Sequence, residues 1–515
     1  MIDGGTLWQL VERRVAETPD ALCTIDEQEH SLSFADFEQA ALRAAAGLAA
    51  LGVGEGTPVT WVLPTCNDAL VLTAALSRLQ AVQNPVLPIY REREVGFVTR
   101  QTGARLLCVP PAFRGFDYQA MARQLADAQP GLEVCVVDDA LPEGDPSTLP
   151  PAPPLPADPQ DSPVRWIFYT SGTTSDPKGA RHSDETLMST YRGMVRVLDM
   201  RDDDRHGFAF PVTHIGGVGW LMGGLMAGFA QLVVPIWDPK TTVAFFAKHD
   251  ITVAGAGTAF HQVYLAAQRE HPDTPLFPRA RIFPGGGAPK PPQLHYDIKR
   301  EMGGLGVVSG YGLTECPIIA MNRTTDPDEK LAETEGPVNP PGAEMRVVKL
   351  DGKPAAPGEE GEICARGPQL CLGYVDTSLD EAAFDAEGFF RTGDLGFLDA
   401  EGFVVITGRL KDVIIRKGEN ISAKEVEDLL YKHPKVADVA VIGLPDPKLG
   451  ERCCAVVACE PGGEPLAFDE MADFLRAQKL MVQKIPEQLE IGEVPRNPAG
   501  KVMKQELRER YGAGS

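Results

Sequence analysis

No Cys-x-x-Cys spacing occurs among the ten cysteines, and they form no regular framework. Neither zinc sites nor a disulfide scaffold is therefore expected, and buried reduced thiols in a cytoplasmic protein are the natural reading. Cys453 and Cys454, adjacent in an apolar run, read as part of a buried strand. Positive charge is scarce: 49 Lys and Arg face 72 Asp and Glu, a formal net charge of −23. That excludes a broad nucleic-acid surface, so an anionic ligand would need a local basic cluster. No uninterrupted apolar run reaches bilayer length. The most apolar stretch, Val212 to Ile236, is broken by glycines and closed by Trp237 and Asp238, as a core or pocket-lining segment would be. The start, Met1 to Gly5, lacks a basic and apolar leader, so no export signal is expected. What remains is 43% hydrophobic and 23% charged, an ordinary globular composition. At 515 residues, two or more domains are expected.

The order of signals predicts an α/β chain. Ser33 with Asp36 starts a helix through Ala40 to Leu51, stopped by Gly52. Val59 to Leu63 reads as a strand and Asn67 to about Gln80 as a helix, with buried strands at Leu106 to Val109 and Val134 to Val137. Such alternation implies helix-covered parallel sheets. Residues 141–163 hold nine prolines in 23 positions, a stiff surface linker. From about 336 to 408 short strands with Gly and Pro turns predict a small antiparallel sheet or β-barrel. Beyond it a compact α+β piece follows, with helices at Ser422 to His433 and about Phe468 to Lys479. The predicted division is 1–410 and 411–515, the boundary lying near Leu410.

The common P-loop order, Gly-Lys followed by Ser or Thr, does not describe the most polar loop of the chain. That loop runs from Tyr169 through Thr170, Ser171, Gly172, Thr173 and Thr174 to Lys178 and Gly179, directly after an apolar strand. Backbone N–H groups, hydroxyls and one lysine without side-chain bulk suit a polyphosphate. Asp176, Pro177 and Gly179 would equally make a surface turn. Gly285, Gly286 and Gly287 form a loop a flat ring can approach closely, or a simple βα turn. Tyr311, Gly312, Thr314 and Glu315 combine an aromatic face, a hydroxyl and a carboxylate that suits a nucleotide with magnesium. Asp394 and Arg409 offer an acid for ribose hydroxyls and a guanidinium, and Lys501 stands in a tight turn after Asn497. Each of these alone is as readily a surface feature.

Together, and in this order, the motifs resemble the adenylate-forming superfamily of acyl-CoA synthetases, amino-acid adenylation domains and luciferases, over essentially the whole chain. The resemblance implies ATP, Mg²⁺ and CoA as the molecules handled. It gives Thr170, Ser171, Gly172, Thr173, Thr174 and Lys178 to the β and γ phosphates. Gly286 and Gly287 line the adenine site, Tyr311 stacks on the base within the Tyr311-Gly312 loop, and Thr314 touches the α-phosphate. Glu315, with Thr170 beside the phosphates, is the metal-holding group. Asp394 takes the ribose hydroxyls and Arg409 the ribose and phosphate. Lys501 bridges the attacking carboxylate and the α-phosphate. Lys411 occupies the hinge position, where many relatives carry Asp, and a mobile C-terminal domain would swing the Lys417-Gly418 loop to the acyl site.

Pro211 to Ile215 matches the border of the acyl pocket, with His214 resembling the aromatic gate of acyl- and aryl-CoA ligases. Amino-acid adenylation domains usually carry Asp where Ile215 stands. An α-ammonium beside Ile215 would be buried unpaired, so an amino-acid substrate is disfavoured. The glycines from Gly216 to Gly224 and the Ala254 to Gly257 run either leave room for a branched, ring-bearing or medium-length acid or serve close helix packing. The string Thr174 to His182 loosely resembles bacterial ligases for alicyclic acids. The leading expectation is a ligase that joins a small carboxylic acid to CoA. Capture of the acyl-adenylate by an amine, or loading of a separate carrier protein, shares the same first half. The chain ends 14 residues after Lys501, so no fused carrier domain is expected. A non-catalytic relative is disfavoured because Glu315, Asp394, Arg409 and Lys501 are all present. No membrane span or nucleic-acid partner is expected, and a monomer or homodimer fits.

Overall fold

A computed structural model of the chain describes residues 1–512 except 139, 153, 155–157, 171–176, 256, 289, 417–418, 461 and 498–499. Most of the polar loop, Ser171 to Thr174, and Gly418 therefore lie outside the described residues.

Strand-forming apolar runs assemble a six-stranded sheet in the order Lys178–Ser183, Val164–Thr170, Val82–Pro85, Pro58–Trp61, Leu106–Val109, Glu133–Val136. All neighbours are parallel except the first two, which form an antiparallel hairpin. A second sheet orders Arg205–Phe208, Ala230–Val233, Leu22–Asp26 and Ser31–Ser33. Val253 bridges it in parallel to Ile282, next to the three-stranded sheet of Phe283–Gly286, Val307–Tyr311 and Ala320–Met321. Helices cover these sheets. The predicted start at Ser33 is a capping box: its hydroxyl accepts from the Asp36 N–H, and the Asp36 carboxylate accepts from the Ser33 N–H, for helix Phe34–Ala50. Trp61, Trp166, Phe34, Phe37 and Phe168 are fully buried, each contributing about 1.5–3 kcal/mol by leaving water.

The predicted antiparallel unit is a four-stranded sheet, Glu344–Val348, Gly361–Arg366, Phe390–Leu398, Val404–Arg409. From Ile414 onward the chain builds its own five-stranded sheet around the long hairpin Val436–Asp446 and Gly450–Cys459. A separate apolar core, with Val426, Leu430, Val441, Ala455 and Leu475 fully buried, lies beneath it. A further helix, Lys504–Gly512, which the sequence reading did not predict, packs on this sheet through Leu507. All ten cysteines are free, eight of them buried. Among the described residues no helix is long and apolar enough to cross a membrane.

The glycine-rich helix Ile215–Ala227 resolves one sequence ambiguity. A Cβ on Gly217 would lie 2.0 Å from the Pro211 carbonyl oxygen, and one on Gly219 would lie 1.9 Å from the Tyr191 ring. Gly219 lets the helix press against Asp184–Val197 and Gly217 lets it pack on the turn at Pro211, so neither opens space for a substrate. The space beside Gly255 is also filled, since a Cβ there would stand 2.9 Å from His206 Nε2 and 3.8 Å from Trp220. The roomy pocket allowed by the sequence is thus replaced by close packing. Gly219→Ala is expected to lower stability by about 1–3 kcal/mol, read as a fall in the urea midpoint at unchanged slope.

Candidate active site

Thr170 and Lys178, described residues at either end of the polar loop, are Cα partners where the antiparallel strands Val164–Thr170 and Lys178–Ser183 meet. The hairpin is steadied by a segment far along the chain. Val375 N–H donates to the Gly179 carbonyl at 2.8 Å and Arg181 N–H to that of Gly373 at 3.0 Å. This pairing carries in Tyr374, whose hydroxyl donates to Glu315 Oε1 at 2.6 Å. Its ring also lies 5.6 Å from the Lys178 ammonium, within cation–π range. Tyr374 thus joins the loop lysine to the buried Glu315. No local motif marks it, because its partners come from other parts of the chain.

Gly286 and Tyr311 end two parallel neighbours, strands Phe283–Gly286 and Val307–Tyr311. A Cβ on Gly286 would lie 2.7 Å from the Gly310 carbonyl oxygen, so only glycine keeps this edge flat. The following Gly287 has φ +75°, a conformation that favours glycine. At Gly312 a Cβ would fall 2.2 Å from the Ile318 nitrogen, so the Thr314–Glu315 loop folds tightly over the glycine. His182, fully buried, holds that loop: its Nε2 lies 2.8 Å from the Thr314 carbonyl. A carbonyl only accepts, so Nε2 carries the proton and Nδ1 accepts from the Thr186 hydroxyl at 3.0 Å. Burial lowers the His182 pKa to about 4 and keeps the ring neutral. No local spacing marks His182 for this role, because the Thr314 carbonyl lies 132 residues away.

Asp394 and Arg409 are register partners on adjacent antiparallel strands. Asp394, 2% exposed, accepts from Arg409 Nε at 2.6 Å through Oδ1 and from the Tyr311 hydroxyl at 2.7 Å through Oδ2. Burial beside that carboxylate pushes the Tyr311 phenol well up, keeping it a donor. The aromatic face at the nucleotide edge is thus tied to the acid proposed for the ribose.

Lys501 comes from a turn of the C-terminal unit, just inside the Arg496–Val502 bridge. Its N–H donates to Asn497 Oδ1 at 2.9 Å, while Arg496 Nη1 donates to the Gly500 carbonyl at 2.7 Å. Arg496 is itself fixed by Asp438 at 2.7 Å. A Cβ on Gly500 would stand 3.5 Å from that of Ala259, so the turn docks against helix Thr258–Glu270. Burial, then Arg409 and Lys411, lower the Lys501 pKa to about 8. Lys501 in turn acts on His214, whose pKa burial, then Lys501, lower to about 4. His214 Nδ1 caps helix Ile215–Ala227 by accepting from the Gly216 N–H at 3.1 Å, so its proton resides on Nε2. Its ring stands edge-on to Phe210, with centroids 4.9 Å apart.

His214, Ile215 and Thr314 line one small cavity of ≈ 20 Å³, with Val86, Tyr90 and Phe168 among its other walls. Glu315 is buried with Oε1 accepting from Tyr374, and Thr170 ends its strand at the described edge of the polar loop. No cluster of three or more His, Cys, Asp or Glu side chains suited to a metal occurs among the described residues.

A glycine-and-tyrosine strand edge, the Asp394–Arg409 pair and a lysine brought to it from the C-terminal unit are parts of an enzyme that activates carboxylic acids as adenylates. The chain belongs to the AMP-binding enzyme family, matching it over residues 11–375 and the AMP-binding enzyme C-terminal domain over 425–501. It is 32% identical to salicyl-AMP ligase / salicyl-S-ArCP synthetase of Mycobacterium tuberculosis, over 99% of this chain and 91% of that protein. Identity to the medium-chain fatty-acid–CoA ligase of Escherichia coli is 29%, over 98% and 89% of the two chains. The fold matches the crystal structure of ATP-bound MatB from Rhodopseudomonas palustris with a TM-score of 0.88, 27% identity and 99% coverage of each chain.

Proposed function

We propose that this protein is an acid–CoA ligase: it converts a small carboxylic acid to an acyl-adenylate with release of pyrophosphate, then passes the acyl group to the CoA thiol. A carboxylate is a poor electrophile, because its oxygen leaves badly and its charge repels nucleophiles. Attack of that carboxylate on the α-phosphorus of ATP forms the acyl–phosphate bond and breaks the bond to pyrophosphate. The thiolate then attacks the acyl carbon, forming the thioester and expelling AMP.

The observation that carries this reading is the convergence of Lys501 on Arg409, Asp394 and His214. Lys501 and Arg409 neutralise charge where carboxylate and phosphate meet, and such positioning supplies most of the catalysis in phosphoryl-type transfers. Thr170 and Lys178 would hold the outer phosphates, Asp394 the ribose, and Tyr311 with Gly286 and Gly287 the base. Glu315 would hold Mg²⁺, which supplies charge neutralisation on the phosphates. Ile215, 4% exposed, leaves an α-ammonium without a counter-charge. For the second half-reaction, residues 411–515 would turn about Lys411 and withdraw Lys501. The carrier-loading alternative draws support from the printed name of the Mycobacterium tuberculosis relative.

Pyrophosphate exchange across aliphatic, alicyclic, aryl and α-amino acids tests the first half, and adding CoA, amines or a carrier protein tests the acceptor. Exchange with α-amino acids alone would overturn the Ile215 argument, and thioester formation on a carrier but not on CoA would replace the acceptor. In the free enzyme kcat/KM for exchange should fall as pH rises through about 8, because the Lys501 ammonium loses its proton there. Saturating ATP should move this limb upward, since phosphates favour the charged lysine. A limb unchanged in Lys501→Arg would assign the titration to another group.

A further inference from the structure

The segment around Tyr374 is bound to the neighbourhoods of both Glu315 and Lys178. The Cys371 N–H donates to the Glu315 backbone carbonyl at 2.8 Å, and the Leu372 N–H to that of Arg181 at 2.7 Å. The Arg181 guanidinium donates back to the Leu372 carbonyl at 2.7 Å. The Tyr374 N–H donates to Asp380 Oδ1 at 2.9 Å. Residues 371–375 thus staple the strand that begins at Lys178 to the loop that carries Glu315, with the Tyr374 side chain buried in the joint. Neither charge is neutralised there. Among the described residues Lys178 has the Tyr374 ring and no carboxylate as its partner, and the Glu315 carboxylate has the Tyr374 phenol and no cation. A carboxylate only 7% exposed is costly without a counter-charge, which a cation brought to it would supply. A ring face orients an ammonium and leaves its charge for an anion. One side chain that serves both must offer a donor and a ring face, as tyrosine does.

We infer that Tyr374 is a positioning residue for the nucleotide: it sets Glu315 and Lys178 at a fixed spacing with both charges free, so that ATP is gripped together with its metal. The inference rests on the carboxylate-activation reading, in which Glu315 holds Mg²⁺ and Lys178 the outer phosphates, and deepens it. Tyr374 acts on the nucleotide only through these two side chains. The phenol governs Glu315 and therefore the metal-dependent part of the affinity. The ring governs Lys178 and therefore the part that remains without metal. Partners that orient a metal-holding carboxylate from behind matter about as much to binding as the ligand's own geometry.

The test is isothermal titration of the protein with a non-hydrolysable ATP analogue, in Mg²⁺ and then in EDTA, with urea unfolding alongside. Tyr374→Phe keeps the ring beside Lys178 and removes the donor to Glu315. It should weaken the Mg²⁺ complex about tenfold and the metal-free analogue by less than about twofold. Tyr374→Leu removes the ring as well and should weaken the metal-free analogue about two- to fivefold. In a Glu315→Gln background, Tyr374→Phe should cost less than about twofold further, because the two side chains act as one unit. Asp380→Ala, which frees the Tyr374 N–H and leaves the ring, should show the same metal-selective loss at about threefold. Equal weakening with and without metal, or an undiminished loss in the Glu315→Gln background, would make Tyr374 a packing group and overturn the inference. Unchanged affinity in variants that unfold cooperatively would overturn it too. A wild type that binds no adenine nucleotide would overturn the activation reading and this inference together.

Discussion

Replacing Lys501 with alanine is expected to cut acid-dependent pyrophosphate exchange by about 10²–10³-fold or more, the loss of roughly 3–4 kcal/mol of transition-state stabilisation. Conversion of a supplied acyl-adenylate and CoA to thioester should stay within about threefold of wild type. The asymmetry follows from position. Lys501 reaches the Asp394–Arg409 pair only from a turn that docks Gly500 against Ala259, and it acts on His214 from there. A point charge so placed matters while negative charge gathers between carboxylate and α-phosphate, and much less once the adenylate exists. Equal damage to both half-reactions would mean that Lys501 serves the docking of the C-terminal sheet.

Asp394→Asn should weaken ATP by about 10²-fold in the exchange reaction and lower stability by about 1–3 kcal/mol. The amide keeps the shape and removes the charge that faces Arg409 at 2.6 Å and accepts from Tyr311 at 2.7 Å. The stability loss stays below that of a fully buried pair, because the Arg409 side chain is 31% exposed and solvent screens it. Asp394 also raises the pKa of Lys501, so the alkaline limb of the exchange profile should move to lower pH in the variant. Isothermal titration with a non-hydrolysable ATP analogue, urea unfolding and the pH profile separate these effects. A loss of stability with unchanged nucleotide affinity would confine Asp394 to a structural part.

The strand running into Thr170 was legible because an apolar run empties into glycine and hydroxyl residues, whereas Gly286 and Tyr311, expected in loops, close strands Phe283–Gly286 and Val307–Tyr311. The helix at Phe34 was legible from the capping residues Ser33 and Asp36. Helix Lys504–Gly512 was not, since its apolar contact is essentially Leu507 alone. Tyr374 and His182 were missed for a different reason. Their partners, Glu315 and the Thr314 carbonyl, lie 59 and 132 residues away, and no local spacing encodes such a meeting.

The chemistry of this protein was written locally, in glycines that expose backbone, hydroxyls before a lysine, and single acids and bases in fixed order. Residue type and short-range spacing suffice for that, because each motif gathers its polar groups within a few residues. The shape of the acid's pocket was decided only in three dimensions. Gly217 and Gly219 proved to be packing surfaces, and Trp220 and His206 proved to fill the space beside Gly255. A cavity is what remains after distant segments have packed, and its volume and unpaired atoms belong to the tertiary structure alone.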